Sequence, residues 1–383
     1  MNIWLITHLY PTPDRGDLAG DADALHDFAA CWVREGHRVT VLHAYMDKPV
    51  GLKKLGLLLP RMRAGRASFD GVDVVRVEMR LAKSVLWLRR LFMNRAGDVM
   101  RGMLAGAPAP DLILNHFPAL TLGLAGRLRQ RCPAACVVHT TDISMLRHKG
   151  VSAMPGGFGA VGFRSERIRA DFRRLCGDAL PGFMALSGAP DLAFGAADRP
   201  DGPLGVLYAG KLIARKQVPL LVRALAQLPP EAPWRLTVAG DGPERAAIER
   251  EVADLGVGDR VRLTGRLDRM HVFAEMATHD VFAMVSHGET FGIAYLEAMA
   301  AGMIPIGTTG EGIDGVIRDG ENGFLVNRDD RAALTARFGE LANLGAGGRR
   351  AIAERALATA RAMTAPEMAR RYLQNAMEEL HFQ

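Results

Sequence analysis

Short apolar runs alternate along the chain with longer segments of helical periodicity. Residues 2–7 (NIWLIT) form an apolar run, a helical stretch follows at 21–35 up to Gly36, and RVTVLH at 38–43 is the next apolar run. The same pattern predicts strands at 71–78, 111–115, 136–140, 182–187, 205–210, 235–240, 260–265, 280–285 and 304–307, and helices at 118–131 and 163–176. This alternation predicts an α/β fold with parallel sheets, because parallel strands need long crossover connections.

The chain is long enough for two domains. Its 383 residues exceed what one ordinary core contains and fit two domains of roughly 150–200 residues. Residues 195–204 (GAADRPDGPL), rich in Gly, Pro and Asp, are the best linker candidate. We predict an N-terminal domain at 1–195, a C-terminal domain at 196–363 and a last segment at 364–383, with a cleft between the two sheets.

The composition is that of a soluble protein, with 49% hydrophobic and 23% charged residues. No uncharged apolar stretch approaches the roughly 18 residues of a membrane span, and the N-terminus lacks a basic leader. Four cysteines are scattered without metal-ligand spacing, which favours reduced thiols over a zinc or disulfide framework (Cys31, Cys132, Cys136, Cys176). These features predict a cytoplasmic protein.

Charge is distributed unevenly between the two halves. The net charge is +6, but residues 1–190 carry +10 and the remainder −4. This asymmetry indicates an anionic partner for the first domain, such as membrane lipid, a lipid diphosphate or nucleic acid.

The segment 286–307 (SHGETFGIAYLEAMAAGMIPIG) carries the most specific chemistry. It follows an apolar strand and begins a helix at Gly292, so the amides of Thr290, Phe291 and Gly292 would surround a helix N-terminus suited to a diphosphate. Glu289 would lie ahead of the helix and Glu297 inside it, where two carboxylates accept hydrogen bonds from two diols. An isolated pair of glutamates would more often be solvated charges on a helix face.

Two lysines precede this segment in the chain. VLYAGKLIARKQVPLLVRAL at 206–225 places Lys211 and Lys216 in a strand-to-helix loop, where two cations neutralise a leaving diphosphate. Alone they would be ordinary surface lysines. VAGDGPE at 238–244 is a similar turn, whose glycines and Pro243 are explained by the start of a helix.

The second half resembles glycosyltransferase family 4, a group of retaining enzymes with the GT-B fold. The matching pieces stand in the family's order over most of residues 205–330: GKLIARK, VAGDGPE, RVRLTGRLDRMHVFAEMATHDVF, ETFGIAYLE, EAMAAGMIPIG and GENGFLV. The resemblance implies two Rossmann-like domains that face a central cleft. It also implies that the last helix packs back on the first domain.

The resemblance also implies a role for each matching residue. Glu289 corresponds to the acid that binds donor-sugar hydroxyls, Glu297 to the acid that binds the ribose diol, and Lys216 to the phosphate-binding lysine. Lys211 stands where an arginine is usual, which keeps the charge but loses bidentate geometry. The backbone near Leu267 would face the nucleotide base. Asp314 occupies a position where glutamate is commoner.

The N-terminal domain matches the family less closely. LHDFAACW and GHRVTV resemble the first helix and second strand, but the glycine usual ahead of this helix is replaced by Ala22-Asp23-Ala24. Gly16 or Gly20 then becomes the candidate for contact with ligand. Asp21-x-Asp23 matches the Asp-x-Asp metal motif of another glycosyltransferase fold, but at the start of a helix a capping role is favoured.

A strand end in the first domain supplies the remaining candidates. VVHTTDISML at 137–146 resembles the family's His-Gly-Thr-Asp stretch, so His139 is predicted to contact the donor sugar at the carboxyl end of a parallel strand. Asp142 either binds acceptor or caps a turn. Arg164, in VGFRSERIRADFRR, either meets an acceptor phosphate or belongs to a solvated basic helix.

Two segments of the first domain have a composition typical of a membrane surface. KPVGLKKLGLLLPRMRAGR at 48–66 and KSVLWLRRLFMNR at 83–95 interleave apolar residues with Lys and Arg. A basic helix packed on its own domain explains them equally well. Nucleic acid is disfavoured, because the chain has no zinc, RNP or helix-turn-helix signature.

Together these features predict a metal-independent, retaining glycosyltransferase without a cofactor. The donor would be a UDP-sugar or a GDP-sugar, and the acceptor a glycan or lipid-linked glycan of polysaccharide or glycolipid biosynthesis. The protein would then act in the cytoplasm, in part at the cytoplasmic face of the membrane. Two other functions remain open: a nonhydrolysing sugar-nucleotide epimerase of the same fold, and a non-catalytic nucleotide-binding protein.

Overall fold

The computed structural model describes residues 1–11, 21–46, 61–80, 89–150, 156–195 and 202–381. The chain forms two compact units, one of Met1–Leu186 with Met368–Gln383 and the other of Ser187–Glu367. The observed boundaries, after residues 186 and 367, therefore differ from the predicted ones, after residues 195 and 363. In the described part of the chain, no helix is both long and apolar enough to cross a bilayer.

The first unit is built on an eight-stranded sheet with the order β3-β4-β2-β1-β5-β6-β7-β8. Its strands are β1 (Asn2–Thr7), β2 (Arg38–Met46), β3 (Arg61–Phe69), β4 (Val72–Arg80), β5 (Leu112–His116), β6 (Ala134–Val138), β7 (Ala160–Phe163) and β8 (Gly182–Met184). All neighbouring strands are parallel except β3 and β4. The central strands are buried on both faces, which explains their continuous apolar sequences.

Helices cover this sheet. They are α1 (Asp21–Arg34), α2 (Arg89–Met103), α3 (Pro118–Leu128), α4 (Thr140–Lys149), α5 (Glu166–Cys176) and the last helix of the chain, α12 (Ala365–Glu379). Tyr372 and Leu373 of α12 lie in the core that Phe28 and Trp32 of α1 also form. The indole Nε1 of Trp32 donates a hydrogen bond to the carbonyl of Ala369 (2.8 Å). The first unit therefore contains a helix that is distant in sequence.

The hairpin of β3 and β4 was not predicted. Its two-residue turn is Asp70-Gly71, with φ of 51° and 75°, as a tight hairpin requires. Strand β3 lies at the sheet edge and most of its described side chains are exposed, so its sequence shows no alternation of apolar and polar residues. Residues 61–66 of the predicted basic segment 48–66 are therefore a strand and not a helix, while 47–60 lie outside the described residues.

The second unit contains a six-stranded parallel sheet with the order β11-β10-β9-β12-β13-β14. The strands are β9 (Leu204–Ala209), β10 (Trp234–Ala239), β11 (Val261–Gly265), β12 (Val281–Ala283), β13 (Ile304–Thr308) and β14 (Phe324–Val326). The helices are α6 (Val218–Leu225), α7 (Arg245–Asp254), α8 (Arg269–Ala277), α9 (Ile293–Ala300), α10 (Arg331–Asn343) and α11 (Gly345–Ala362). The order of strands reverses between β9 and β12, which is where parallel sheets bind ligands at their carboxyl ends.

The loops after β9 and β10 are packed backbone against backbone. A Cβ atom on Gly240 would overlap the carbonyl oxygen of Gly210, and one on Gly242 would overlap that of Leu212. The amide of Leu212 also donates to the carbonyl of Asp241 (3.0 Å). The glycines of VAGDGPE therefore do more than form the predicted turn, because they allow these two loops to touch.

Candidate functional site

A buried ion pair lies at the carboxyl end of the sheet in the second unit. Lys216 ends the short 3₁₀ turn Ala214–Lys216 ahead of α6, and Glu289 lies in the loop between β12 and α9. The Nζ of Lys216 is 3.0 Å from Oε1 and 2.9 Å from Oε2 of Glu289. Lys216 is only 9% exposed and Glu289 8%. Two residues that the sequence assigns to phosphate and sugar are therefore brought into contact.

Arg215 is a second cation at this carboxylate that sequence reasoning missed. Its Nη1 lies 2.7 Å from Oε1 of Glu289 and 3.2 Å from the carbonyl oxygen of His287. Burial opposes the ionisation of Glu289, but the charges and hydrogen bonds of Lys216 and Arg215 together hold its pKa below the usual range. Two cations, Lys216 and Arg215, therefore contact this one carboxylate.

The N-terminus of α9 begins next to this carboxylate. Gly292 precedes the helix in the left-handed conformation (φ 86°), and a Cβ atom there would lie 2.7 Å from the ring of Tyr295. Thr290 and Phe291 connect Glu289 to this turn. Because the first amides of a helix have no carbonyl partner within it, this end of α9 favours an anion.

Glu311 is a further residue that sequence reasoning missed. It is buried in the loop after β13, and its Oε2 accepts a hydrogen bond from the backbone amide of Glu289 (3.0 Å). A Cβ atom on Gly312 would lie 2.6 Å from the carbonyl carbon of Thr290, so the two loops are in close contact. Glu311 therefore holds the backbone that carries Glu289. The sequence signal for Glu311 was the first acid in TTGEGIDG, but the sequence interpretation assigned the acid position of this segment to Asp314.

Asp314 has a local contact of its own. Its Oδ2 accepts a hydrogen bond from the amide of Gly310 (2.6 Å), which closes the turn that follows β13.

The other residues predicted in this unit lie on the elements around the ion pair of Lys216 and Glu289. The carboxylate of Glu297, on α9, is 3.1 Å from Nη2 of Arg269 at the start of α8. Leu267 lies half-buried between β11 and α8. Lys211 is exposed, and its backbone carbonyl accepts a hydrogen bond from the hydroxyl of Tyr208 (3.0 Å). The structure therefore joins Lys216, Glu289 and the start of α9 directly, and places Lys211, Leu267 and Glu297 on the surrounding elements.

His139 lies at the carboxyl end of the sheet in the first unit, between β6 and α4. Its ring stacks on that of Phe117, with centroids 3.6 Å apart, and its Nε2 is 3.0 Å from Nδ1 of His116. Burial, with the neighbouring His116, Arg164 and His8, lowers the pKa of His139 well below its usual value. At neutral pH this ring is therefore an uncharged hydrogen-bonding group.

Asp142 caps two helices. Its Oδ2 accepts from the amide of His139 (2.8 Å) and its Oδ1 from the amide of Ala119 (3.0 Å), at the N-termini of α4 and α3. The side chain is fully buried. Of the two roles predicted for Asp142, capping is thus the one for which the structure records contacts.

Arg164 lies after β7 and is buried rather than on a solvated helix face. Its guanidinium donates to the carbonyl of Ala185 and lies 5.1 Å from the ring centroid of Phe28. Asp23 lies in the first turn of α1 and not at the end of a strand, where its carboxylate favours the helix N-terminus. Gly16 and Gly20 lie outside the described residues.

Residues 193–358 match the family model described as glycosyl transferases group 1. These residues form a glycosyl transferases group 1 domain. The match begins and ends within the second unit and includes Lys216, Glu289 and the whole of α9.

Two curated relatives are similar to parts of the chain. The lipopolysaccharide core biosynthesis glycosyltransferase LpsE of Rhizobium meliloti (strain 1021) is 39% identical over 130 residues, which are 34% of this chain and 36% of LpsE. The GDP-mannose-dependent alpha-(1-6)-phosphatidylinositol monomannoside mannosyltransferase of Mycolicibacterium smegmatis is 33% identical over 252 residues, 58% of this chain and 65% of the relative. The chain therefore spans less than two thirds of either relative.

The fold is similar along nearly the whole chain to that of a solved enzyme. Sucrose-phosphate synthase (tll1590) from Thermosynechococcus elongatus superposes with a TM-score of 0.75 and 20% identity, over 97% of both chains. The group 1 domain and the unit that precedes it therefore have the GT-B fold that the sequence predicted.

Proposed function

We propose that this chain is a retaining glycosyltransferase of family 4 that moves a sugar from a nucleotide-sugar to a glycan or lipid-linked acceptor. The observation that carries the proposal is the buried contact of Lys216 and Arg215 with Glu289 beside the N-terminus of α9. A sugar diphosphate needs both kinds of group at one place, because its phosphates require cations and amides and its hydroxyls require an acceptor.

The proposed mechanism starts from the two cations that contact Glu289. A donor diphosphate binds Lys216, Arg215 and the amides that begin α9, with Lys211 as a further cation at the loop. The negative charge of the diphosphate then neutralises part of the charge on these cations. Glu289 thus becomes available to accept hydrogen bonds from the sugar hydroxyls. As the diphosphate departs, its charge grows, and preorganised cations in a site of low polarity stabilise that charge.

Transfer with retention follows from attack on the face from which the diphosphate leaves. The bond between the anomeric carbon and the diphosphate oxygen breaks, and the acceptor oxygen bonds to that carbon on the same face. The acceptor proton passes to the departing diphosphate. We propose that no metal ion or cofactor takes part, since the protein supplies the cations. EDTA is then expected to leave the rate unchanged.

The donor nucleotide is proposed to be UDP first and GDP second. Uridine is the usual base in the family that the sequence resembles, while the mycobacterial relative is named for GDP-mannose. Glu297 would bind the ribose diol and the backbone at Leu267 the base. A thermal-shift series with UDP, GDP and ADP at equal concentration separates these bases, because the nucleotide that binds the folded chain most tightly raises its unfolding temperature most.

The first unit is proposed to bind the acceptor. Residues 1–190 carry the positive excess of the chain, and all but the last four belong to this unit. Exposed arginines of β3 and α2 are among them (Arg63, Arg66, Arg90, Arg95). Leu91 on α2 is 59% exposed beside them. Such a surface suits the anionic face of a membrane that holds a lipid-linked acceptor. Sedimentation with vesicles of anionic and of neutral lipid tests this contact, and we expect binding to the anionic vesicles only.

His139 is proposed to contact the donor sugar, as the family resemblance implies. Arg164 and Asp142 remain candidates on the acceptor side, together with Gly16 and Gly20.

The test of the proposed activity is the substitution Glu289→Gln. It keeps the shape of the side chain but removes the charge, and we expect transfer to fall by about a hundredfold or more. Glu249→Gln is the matched control, since Glu249 makes an exposed contact of similar length with Arg245 (2.8 Å) in the same unit. Unchanged transfer in Glu289→Gln, measured as nucleoside diphosphate release with acceptor, would reject the site.

Two other functions predict different products. An epimerase would change the donor sugar with no acceptor present, which NMR of the donor alone detects. A non-catalytic protein would bind donor without ever releasing the nucleoside diphosphate.

A further inference from the structure

Three buried polar side chains of the first unit form one line of hydrogen bonds. They are His116 at the end of β5, His139 just after β6, and Tyr372 on α12. His116 Nδ1 is 3.0 Å from His139 Nε2, and His116 Nε2 is 2.9 Å from the hydroxyl of Tyr372. Each of the three is almost fully buried. His116 thus uses both ring nitrogens to connect Tyr372 with His139.

The number of protons in this line is fixed at neutral pH. Burial and the charge of Arg164 lower the pKa of His116 well below its usual value, and burial lowers that of His139 similarly. Burial also raises the pKa of Tyr372. Each imidazole therefore carries one N–H, and the phenol keeps its O–H.

This count couples the two ends of the line. If Tyr372 donates to His116 Nε2, then His116 must donate from Nδ1 to His139 Nε2, and His139 holds its own proton on Nδ1. If His139 donates from Nε2 instead, both hydrogen bonds reverse and Tyr372 accepts. A mixed arrangement would leave two protons or two lone pairs facing each other, which a buried site does not tolerate.

Phe117 holds the plane of the same ring. It is a non-glycine residue in the left-handed region (φ 56°), and its ring lies nearly parallel to that of His139, at 16°. His8 also packs edge-on against Phe117, with ring centroids 4.5 Å apart. A backbone conformation that few residues adopt is thus kept where it supports His139.

We propose that Tyr372 and His116 are positioning residues that hold His139 in one tautomer. In this tautomer Nε2 of His139 donates to His116, Nδ1 accepts from the backbone amide of Asp142, and the hydroxyl of Tyr372 on α12 is the acceptor at the end of the line. The effect on transfer rests on the role proposed above for His139. The tautomer itself does not, since it follows from contacts within the first unit.

The test is nitrogen NMR of the full chain with ¹⁵N-labelled histidine. The His139 signals are assigned by their loss in His139→Gln. In the wild type at pH 7.5 we expect one ring nitrogen of His139 to be protonated and the other not, with well-separated ¹⁵N shifts. In Tyr372→Phe the end of the line is lost, and we expect the two shifts to move toward each other as the tautomers mix.

The matched control is Tyr10→Phe. Tyr10 is also buried in this unit and its hydroxyl is 2.8 Å from Nδ1 of His26, so the change removes the same kind of contact away from the line. It should leave the His139 signals unchanged. His116→Gln is a second variant, whose amide keeps a donor and an acceptor. It should preserve a single tautomer better than His116→Leu, and it gives the answer if Tyr372→Phe does not fold.

Transfer kinetics add a separate readout. We expect Tyr372→Phe to lower kcat about fivefold, as for the loss of one buried hydrogen bond, with little change in KM for the donor. Averaged tautomers in the wild type, or His139 signals that Tyr372→Phe and His116→Leu leave unchanged, would overturn the inference. A shifted tautomer with unchanged kcat would uphold the positioning and reject only the role of His139 in transfer.

Discussion

The two candidate regions handle polar groups inside the protein in opposite ways. In the group 1 domain, Lys216, Arg215 and Glu289 are kept charged and in direct contact. In the first unit, His116 and His139 are kept neutral and joined to a phenol. The first arrangement suits a ligand that brings its own charge, and the second suits one that brings hydroxyl groups. This difference shows that burial alone does not determine whether a side chain is ionised, because the groups that it contacts decide which form is stable.

The largest expected effect comes from breaking the charged region. Lys216→Met leaves Glu289 buried with Arg215 alone, and removes the cation proposed to bind phosphate. We expect transfer to fall by about a hundredfold or more and the free energy of unfolding to fall by about 3 kcal/mol. Steady-state kinetics and urea unfolding measure the two effects.

A double variant serves as the control for stability. Because an unpaired buried charge costs more than a missing pair, Lys216→Met combined with Glu289→Met should be more stable than Lys216→Met alone. The same or lower stability in the double variant would show that the pair is not electrostatically coupled.

The pH dependence of stability separates the two regions. The folded-state pKa values of His116 and His139 lie below their unfolded value of about 6.5, so their contribution is present above that pH and is lost as the pH falls. Glu289 also has a lowered pKa, but its contribution is lost only below about pH 4.5, its ordinary value.

Urea unfolding between pH 7.5 and 5 reports every histidine whose pKa burial lowers, and these include His37, His43 and His279. The contribution of His116 is therefore the difference between wild type and His116→Gln. We expect the free energy of unfolding to fall between pH 6.5 and 5, because the unfolded histidines take up protons that the folded ones do not. His116→Gln should reduce this loss, while Glu289→Gln should leave it unchanged. An equal slope in wild type and His116→Gln would contradict the assignment of neutral histidines.

The turn before α9 allows a test of geometry without a change of charge. Gly292→Ala places a methyl group 2.7 Å from the Tyr295 ring in a left-handed backbone, and we expect it to cost about 2 kcal/mol and to weaken nucleotide binding. Gly310→Ala is the control, since its φ is 72° but no atom lies within 4 Å of the added methyl. It should cost about 1 kcal/mol, from the backbone alone. Equal costs, measured by thermal unfolding, would mean that the contact with Tyr295 does not matter.

The smallest expected effect concerns Asp142, which accepts a hydrogen bond from the amide of His139 in the first unit. Asp142→Asn keeps one oxygen acceptor but replaces the other, at the N-termini of α3 and α4. We expect a loss of about 1 kcal/mol, because one capping hydrogen bond and the charge at two helix ends are removed. Chemical unfolding measures it. A loss of transfer without a loss of stability would instead point to contact with acceptor.

The sequence predicted the parts of the fold that are buried on both faces. Strands such as β1 and β9 have continuous apolar sequences, and their order along the chain was sufficient to indicate two parallel sheets. Strand β3 was missed because an exposed edge strand has no apolar face for periodicity to show. The packing of Gly240 against Gly210 was missed because it joins two loops distant in sequence.

The candidate site was predictable where charge and a strand end coincide, as for Lys216 and Glu289. Arg215 was missed because an arginine next to a lysine in a loop has no signal of its own. Glu311 and Tyr372 act across long sequence separations, and only the folded chain shows that they touch Glu289 and His116.

A crystal structure of the chain with an intact UDP-sugar or GDP-sugar would show directly whether the donor binds at Lys216 and Glu289. We predict the diphosphate within hydrogen-bonding distance of Lys216 Nζ and of the amides that begin α9, with a sugar hydroxyl on Glu289. A donor bound elsewhere, with Lys216 and Glu289 still in contact only with each other and Arg215, would contradict the account.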